Sequence, residues 1–154
     1  MRVVAHCPHG PASVPELPGL LAELSSVLDM PGVRLGEQPP ASIKRTIQAT
    51  LLRSGWARDV RLPHSNLSVG YVRGSTAMCV QLGNVSRTYA DLLKLQTLLA
   101  MGRAGLSVEV LPVDIASKAM GSNHASYERL VREVGLFDAT ISGPLLILAL
   151  GNGT

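Results

Sequence analysis

Residues 67–84 read LSVGYVRGSTAMCVQLGN. Two β-prone runs, 67–72 and 77–82, flank Arg73-Gly74-Ser75. Short strands around a glycine-containing connection predict an antiparallel hairpin. Strand alternation puts Ala77, Cys79 and Gln81 on one face of the second strand and Met78, Val80 and Leu82 on the other. Gly83-Asn84 then opens a helix predicted over 86–101. Tyr89, Leu92, Leu93, Leu95 and Leu99 supply its apolar positions, and Gly102 and Gly105 stop it. Residues 106–113 follow as an apolar run, the pattern of a strand buried on both faces. A long helix between two strands implies parallel pairing. Hairpin plus crossover predicts an α/β fold with a mixed central sheet flanked by helices.

Upstream, residues 2–5 suit a short strand, and His6-Cys7-Pro8-His9-Gly10 a loop. Pro11, Pro15 and Pro18 keep the next stretch irregular. Leu20, Leu21, Leu24, Val27 and Leu28 recur at helical spacing, and Pro31-Gly32 ends that helix. A second helix is predicted over 43–54, with Ser42 as N-cap and Ile43, Ile47, Leu51 and Leu52 on one face. Gly55 terminates it and Trp56 begins the return. Downstream, 117–126 reads as a polar segment, 127–134 as a helix, and the apolar run 145–150 as a central strand. The expected organisation is one domain over 1–154, without internal repeats.

Of the 154 residues, 46% are hydrophobic and 16% charged, which favours a packed core over disorder. Aromatics are only 3%, so the core must be aliphatic. The net charge of +3 suits a polyanionic partner, although the basic residues form no dense run. The run 145–150 is too short to span a membrane. Nothing near Met1 reads as a signal peptide, and two cysteines, Cys7 and Cys79, make no disulfide framework. The expected location is therefore the cytoplasm. His6, Cys7 and His9 lack a second zinc-ligand pair, and His64 and His124 stand apart. No glycine-rich phosphate loop or nucleophile elbow is present.

The hairpin, with Gly83-Asn84-Val85 and the segment from Tyr89 to Gln96, resembles the core of the BglII/BstYI-type restriction endonucleases. Those enzymes belong to the PD-(D/E)XK nuclease superfamily. Ser107 to Pro112, Ser117 to Ser122, Tyr127-Glu128 and Pro144 to Leu148 continue the likeness in order, over roughly 40–150. The resemblance implies a restriction-endonuclease-like fold, a homodimer on short GATC-containing palindromes, and Mg²⁺-dependent cleavage. It also implies an acid on the first hairpin strand and Glu-x-Gln on the second. Here those positions hold Gly70, Cys79 and Gln81. Glycine offers no ligand, and a thiol suits Mg²⁺ poorly. Cys79 also has the plain reading of a small buried hydrophobe.

Among other acids, Asp59 precedes the hairpin and Asp91 lies two helical turns beyond it. Glu109, on the following strand, is the candidate substitute, and a single carboxylate makes a sparse cation site. The resemblance therefore implies a catalytically degenerate protein, with no metal ligand and no cofactor expected, Mg²⁺ entering only if the site is active. Candidate DNA contacts are Asn84, Ser86 and Arg87 at the start of the long helix, and Lys118, Ser122, Asn123 and His124. The open alternatives are an endonuclease working through a displaced carboxylate and a protein–protein assembly module.

Overall fold

A computed structural model describes residues 2–153. Six strands form one mixed sheet in the order β1-β6-β5-β4-β3-β2: β1 (Arg2–His6), β2 (Ala57–Arg61), β3 (Ser68–Arg73), β4 (Thr76–Val80), β5 (Leu106–Pro112) and β6 (Leu145–Gly151). The helices are α1 (Leu17–Leu28), α2 (Pro40–Arg53), α3 (Val85–Ala100), α4 (Asp114–Met120) and α5 (Tyr127–Glu133). The expected hairpin is β3–β4, antiparallel and closed from Arg73 to Thr76. The crossover helix is α3, and it delivers β5 parallel to β4. β6 runs parallel to β5 and antiparallel to β1, so both apolar runs are interior strands.

The alternation read from the hairpin divides the core. Met78, Val108, Val110, Leu146 and Leu148 face α1 and α2, meeting Leu24, Leu28, Ile43, Ile47 and Leu51. The opposite face packs Leu111, Leu145 and Ile147 against Leu92 of α3 and Leu130 of α5. Nearer the hairpin it packs Ala77 and Cys79 against Leu95 and Leu98 of α3. Burial of one such aliphatic side chain contributes about 1.5–3 kcal/mol, so these layers fix the position of α3 above β4 and β5.

Several expectations need correction. Ser42 is not the N-cap of α2. The helix starts at Pro40, with Pro39 in the cap position, because proline at a first-turn position has no N–H to satisfy and a backbone already set for helix. α1 likewise begins three residues early, with Pro18 in its first turn. The supposed polar segment overlaps the second half of α4, whose first turn carries Asp114 and whose last carries Lys118, complementing the helix dipole. Strand β2 was not anticipated. It is an exposed edge strand, and its charged residues hide the strand pattern while protecting an open sheet edge. Gly55 ends α2 as expected, with φ +84°. No helix among the described residues is long and apolar enough to cross a membrane.

Candidate functional site: a basic cleft over a buried acid pair

The hairpin brings three of the candidate positions together. Gly70 lies one step beyond the Tyr71–Met78 pair, and a Cβ on it would sit 3.7 Å from the Cys79 Cα. Cys79 is in turn the register partner of Glu109 on parallel β5. Strand alternation turns both Cys79 and Glu109 toward α3, where Asp91 is one turn before Leu95. The thiol of Cys79 and the carboxylates of Asp91 and Glu109 lie within 4.8 Å of one another.

Gln81 ties this group to the helix. Its Nε2 donates to Asp91 Oδ2 at 2.9 Å, and its Oε1 accepts from the Gly83 N–H at 3.0 Å. Lys94, one turn further along α3, pairs with Asp91 Oδ1 at 2.7 Å and donates to the Ser68 carbonyl at 3.0 Å. Gln81 is only 4% exposed, and the Asp91 side chain 13%. Gln81 is thus a buried linchpin rather than a surface polar residue.

Glu109 is fully buried, and neither of its carboxyl oxygens has a hydrogen-bond partner. Burial first, and then the neighbouring Asp91 charge, push its carboxyl well above the usual carboxylate range, with Lys94 pulling weakly the other way. Burial likewise raises the Cys79 thiol, helped by Glu109 and Asp91 and opposed by the Gly70 backbone and Lys94. Cys79 is therefore no reactive thiolate at neutral pH. For Lys94 burial works against the charge, but the hydrogen bond and attraction of Asp91 outweigh it and hold the ammonium above its ordinary value.

Above this floor opens a cleft of about 430 Å³ between α2, β2 and α3. Lys44, Arg45, Arg58, Arg87 and Lys94 line it, against the carboxylates of Asp59 and Asp91. Asp59 sits on β2 between the Arg58–Tyr71 and Val60–Val69 pairs, which places it across from Gly70. Its backbone is left-handed, with φ +51°, a conformation that Asp tolerates better than most residues. Asp59 is ion-paired with Arg58 at 2.9 Å.

The other candidates divide. Arg87 lines the cleft. Asn84 and Ser86 act first as a helix cap: Asn84 Oδ1 accepts from the Ser86 N–H at 2.8 Å and the Ser86 hydroxyl at 2.9 Å. Lys118, Ser122, Asn123 and His124 line a separate depression with Arg129 and Arg132. The two regions are nevertheless joined. Asn84 and His124 form a β-bridge, and the Val85 N–H donates to the Asn123 carbonyl at 3.1 Å. In the His6–His9 loop, His9 Nε2 instead contacts the Ile141 carbonyl at 2.9 Å, an ordinary structural bond.

Sequence reading weighed Asp59 and Asp91 and set them aside for their distance along the chain, and it missed Lys94 and the α2 cations. One signal was available. Arg87, Asp91 and Lys94 lie at i, i+4 and i+7 on a single helical stripe, and that stripe faces the Gln81 strand end. Asp59 had no such signal, because its approach to Gly70 depends on the unanticipated β2.

A mixed sheet with a hairpin–crossover core and a cleft at the hairpin over Cys79 and Gln81 defines a restriction-endonuclease-like fold. The chain belongs to the restriction endonuclease BglII/BglIII family, whose family model matches residues 6–150. It superposes on BglII complexed with a DNA 16-mer with a TM-score of 0.77 at 12% identity, covering 99% of this chain and 78% of that one. Against free BglII the TM-score is 0.70 at 14% identity, with 99% and 81% covered. Among curated proteins none matches the chain.

The family's usual Mg²⁺ fits these residues poorly. Mg²⁺ takes a near-octahedral set of oxygens, whereas here one of the three potential ligands is a thiol, a soft donor.

Proposed function

We propose that this chain binds double-stranded DNA through the basic cleft and does not hydrolyse it. The observation that carries the reading is the pairing of five cationic cleft side chains with a floor that lacks the family's acids at Gly70 and Cys79. Lys and Arg along a groove attract phosphates independently of base sequence. The relative seen with a DNA 16-mer supports double-stranded DNA as the polyanion. Phosphodiester cleavage in such a fold needs a divalent ion on hard oxygen ligands, and on this floor a thiol stands among the three potential ligands. In this reading two chains bind a palindrome as a homodimer, matching protein and site symmetry. Arg87 contacts backbone phosphate, and the Lys118–His124 depression extends the footprint. DNA binding in this reading does not require Mg²⁺.

The test is a pair of assays on a GATC-containing duplex. Binding measured against salt should fall steeply, with a log–log slope of about −0.9 per phosphate contact. Incubation with Mg²⁺ or Mn²⁺ should leave the duplex intact. Site-specific cutting would overturn the reading, and lack of binding at low salt would favour a protein–protein assembly module.

A second reading is an endonuclease using displaced carboxylates. The closeness of Asp91 and Glu109 to Cys79 favours it. Under that reading Mn²⁺ supports cutting and Glu109→Gln abolishes it.

A further inference from the structure

The cleft floor holds a group that phosphate binding does not explain. Glu109 is 0% exposed, faces α3, and has no hydrogen-bond partner on either carboxyl oxygen. Buried polar atoms in folded proteins are almost always partnered, and an orphan points to a bound water or ion. Desolvating an unpartnered acid costs several kcal/mol unless something compensates. The neighbours within reach are themselves potential ligands: the Cys79 sulfur and an Asp91 carboxylate oxygen.

We propose that Cys79, Asp91 and Glu109 form a binding site for a thiophilic divalent cation of the Zn²⁺ class. Zinc takes sulfur and oxygen ligands together, with bonds of about 2.3 Å to sulfur and about 2.0–2.2 Å to oxygen. A tetrahedral set at those lengths spaces its ligand atoms about 3.5 Å apart. The three atoms here already lie within 4.8 Å of one another, so side-chain rotation is enough to close the set. Carboxylate oxygens have two lone pairs each, so Asp91 can serve an ion while keeping Lys94 and Gln81. Cys79 and Asp91 line the cleft and Glu109 does not. The ion would thus be held from below by β5 and reached from the cleft. With a thiol in the donor set the floor suits a zinc-type ion rather than Mg²⁺, and binding pins α3 to β4 and β5.

The site is tested on the full chain without DNA, which separates it from the DNA-binding reading. Cd²⁺, a spectroscopic stand-in for Zn²⁺, should bind one per chain and give thiolate-to-metal ultraviolet absorption. That absorption should vanish in Cys79→Ser and persist in Cys7→Ser. Glu109→Gln should weaken Zn²⁺ binding by more than the about 10–100-fold that loss of an outer-shell partner costs. Zn²⁺, but not Mg²⁺, should raise the Tm of the unaltered chain, a readout that needs no variant to fold. A band that survives Cys79→Ser, affinity unchanged by Glu109→Gln, or a Tm indifferent to Zn²⁺ would overturn the proposal.

Discussion

The two faces of β4 and β5 differ sharply although they are one residue apart in sequence. Met78, Val108 and Val110 look toward α1 and α2 and join a cluster that is apolar throughout, mostly aliphatic with Trp56 and Tyr71. Cys79 and Glu109 look toward α3 and find Asp91, Lys94 and Gln81. The first face is a core of the ordinary kind. The second places a carboxyl where a leucine would pack, beside a cleft lined with cations. A polar group at a core position, against its desolvation cost, sets the second face apart, and the apolar face is the scaffold that holds it.

This contrast predicts effects of opposite sign. Met78→Ala opens a cavity on the scaffold face and should destabilise by about 2–5 kcal/mol in denaturant unfolding, with DNA affinity per folded molecule unchanged. Glu109→Leu on the other face removes an unpartnered buried acid and should stabilise the metal-free chain by about 1–3 kcal/mol. Destabilisation by Glu109→Leu in chelator would erase the distinction between the faces.

The pH dependence separates them further. Glu109 has a folded-state pKa raised above its unfolded value. Its neutral form therefore contributes stability that is fully present below the ordinary Glu range and is lost as pH rises through the raised folded value. In metal-free buffer, unfolding free energy should fall above about pH 4.5 with a slope of up to about 1.4 kcal/mol per pH unit. Glu109→Gln should flatten that slope, whereas Met78→Ala should lower the curve without changing its shape.

Smaller effects test the helix that joins the two regions. Asn84→Ala removes the cap of α3 and should cost about 1 kcal/mol. Arg87→Ala or Lys44→Ala at the cleft should leave the Tm within its error and reduce the salt slope of DNA binding by about 1 each.

Much of the scaffold was legible in the sequence. The hairpin, α3 and the two apolar strands follow from alternation, helical spacing and glycine stops, all of which are local. The places where reading failed have local signals that point elsewhere. β2 is charged because it is an edge, α4 is short and polar, and the prolines opening α1 and α2 look like breakers while serving as first-turn residues. For the site, the absence of acids at Gly70 and Cys79 was readable once the family frame was recognised, as was the family itself.

The sequence offered Glu109 as a candidate substitute but could not determine which distant groups come together with it. Asp91 reaches Cys79 only because α3 crosses back over the sheet. Glu109 reaches it only through the parallel β4–β5 register, and Asp59 reaches Gly70 only through pairing of an edge strand. Periodicity sets which face of an element a residue takes. Crossover and strand register, fixed by the packing of aliphatic layers many residues apart, decide which faces meet, and it was this that put two carboxylates beside a thiol beneath a basic cleft.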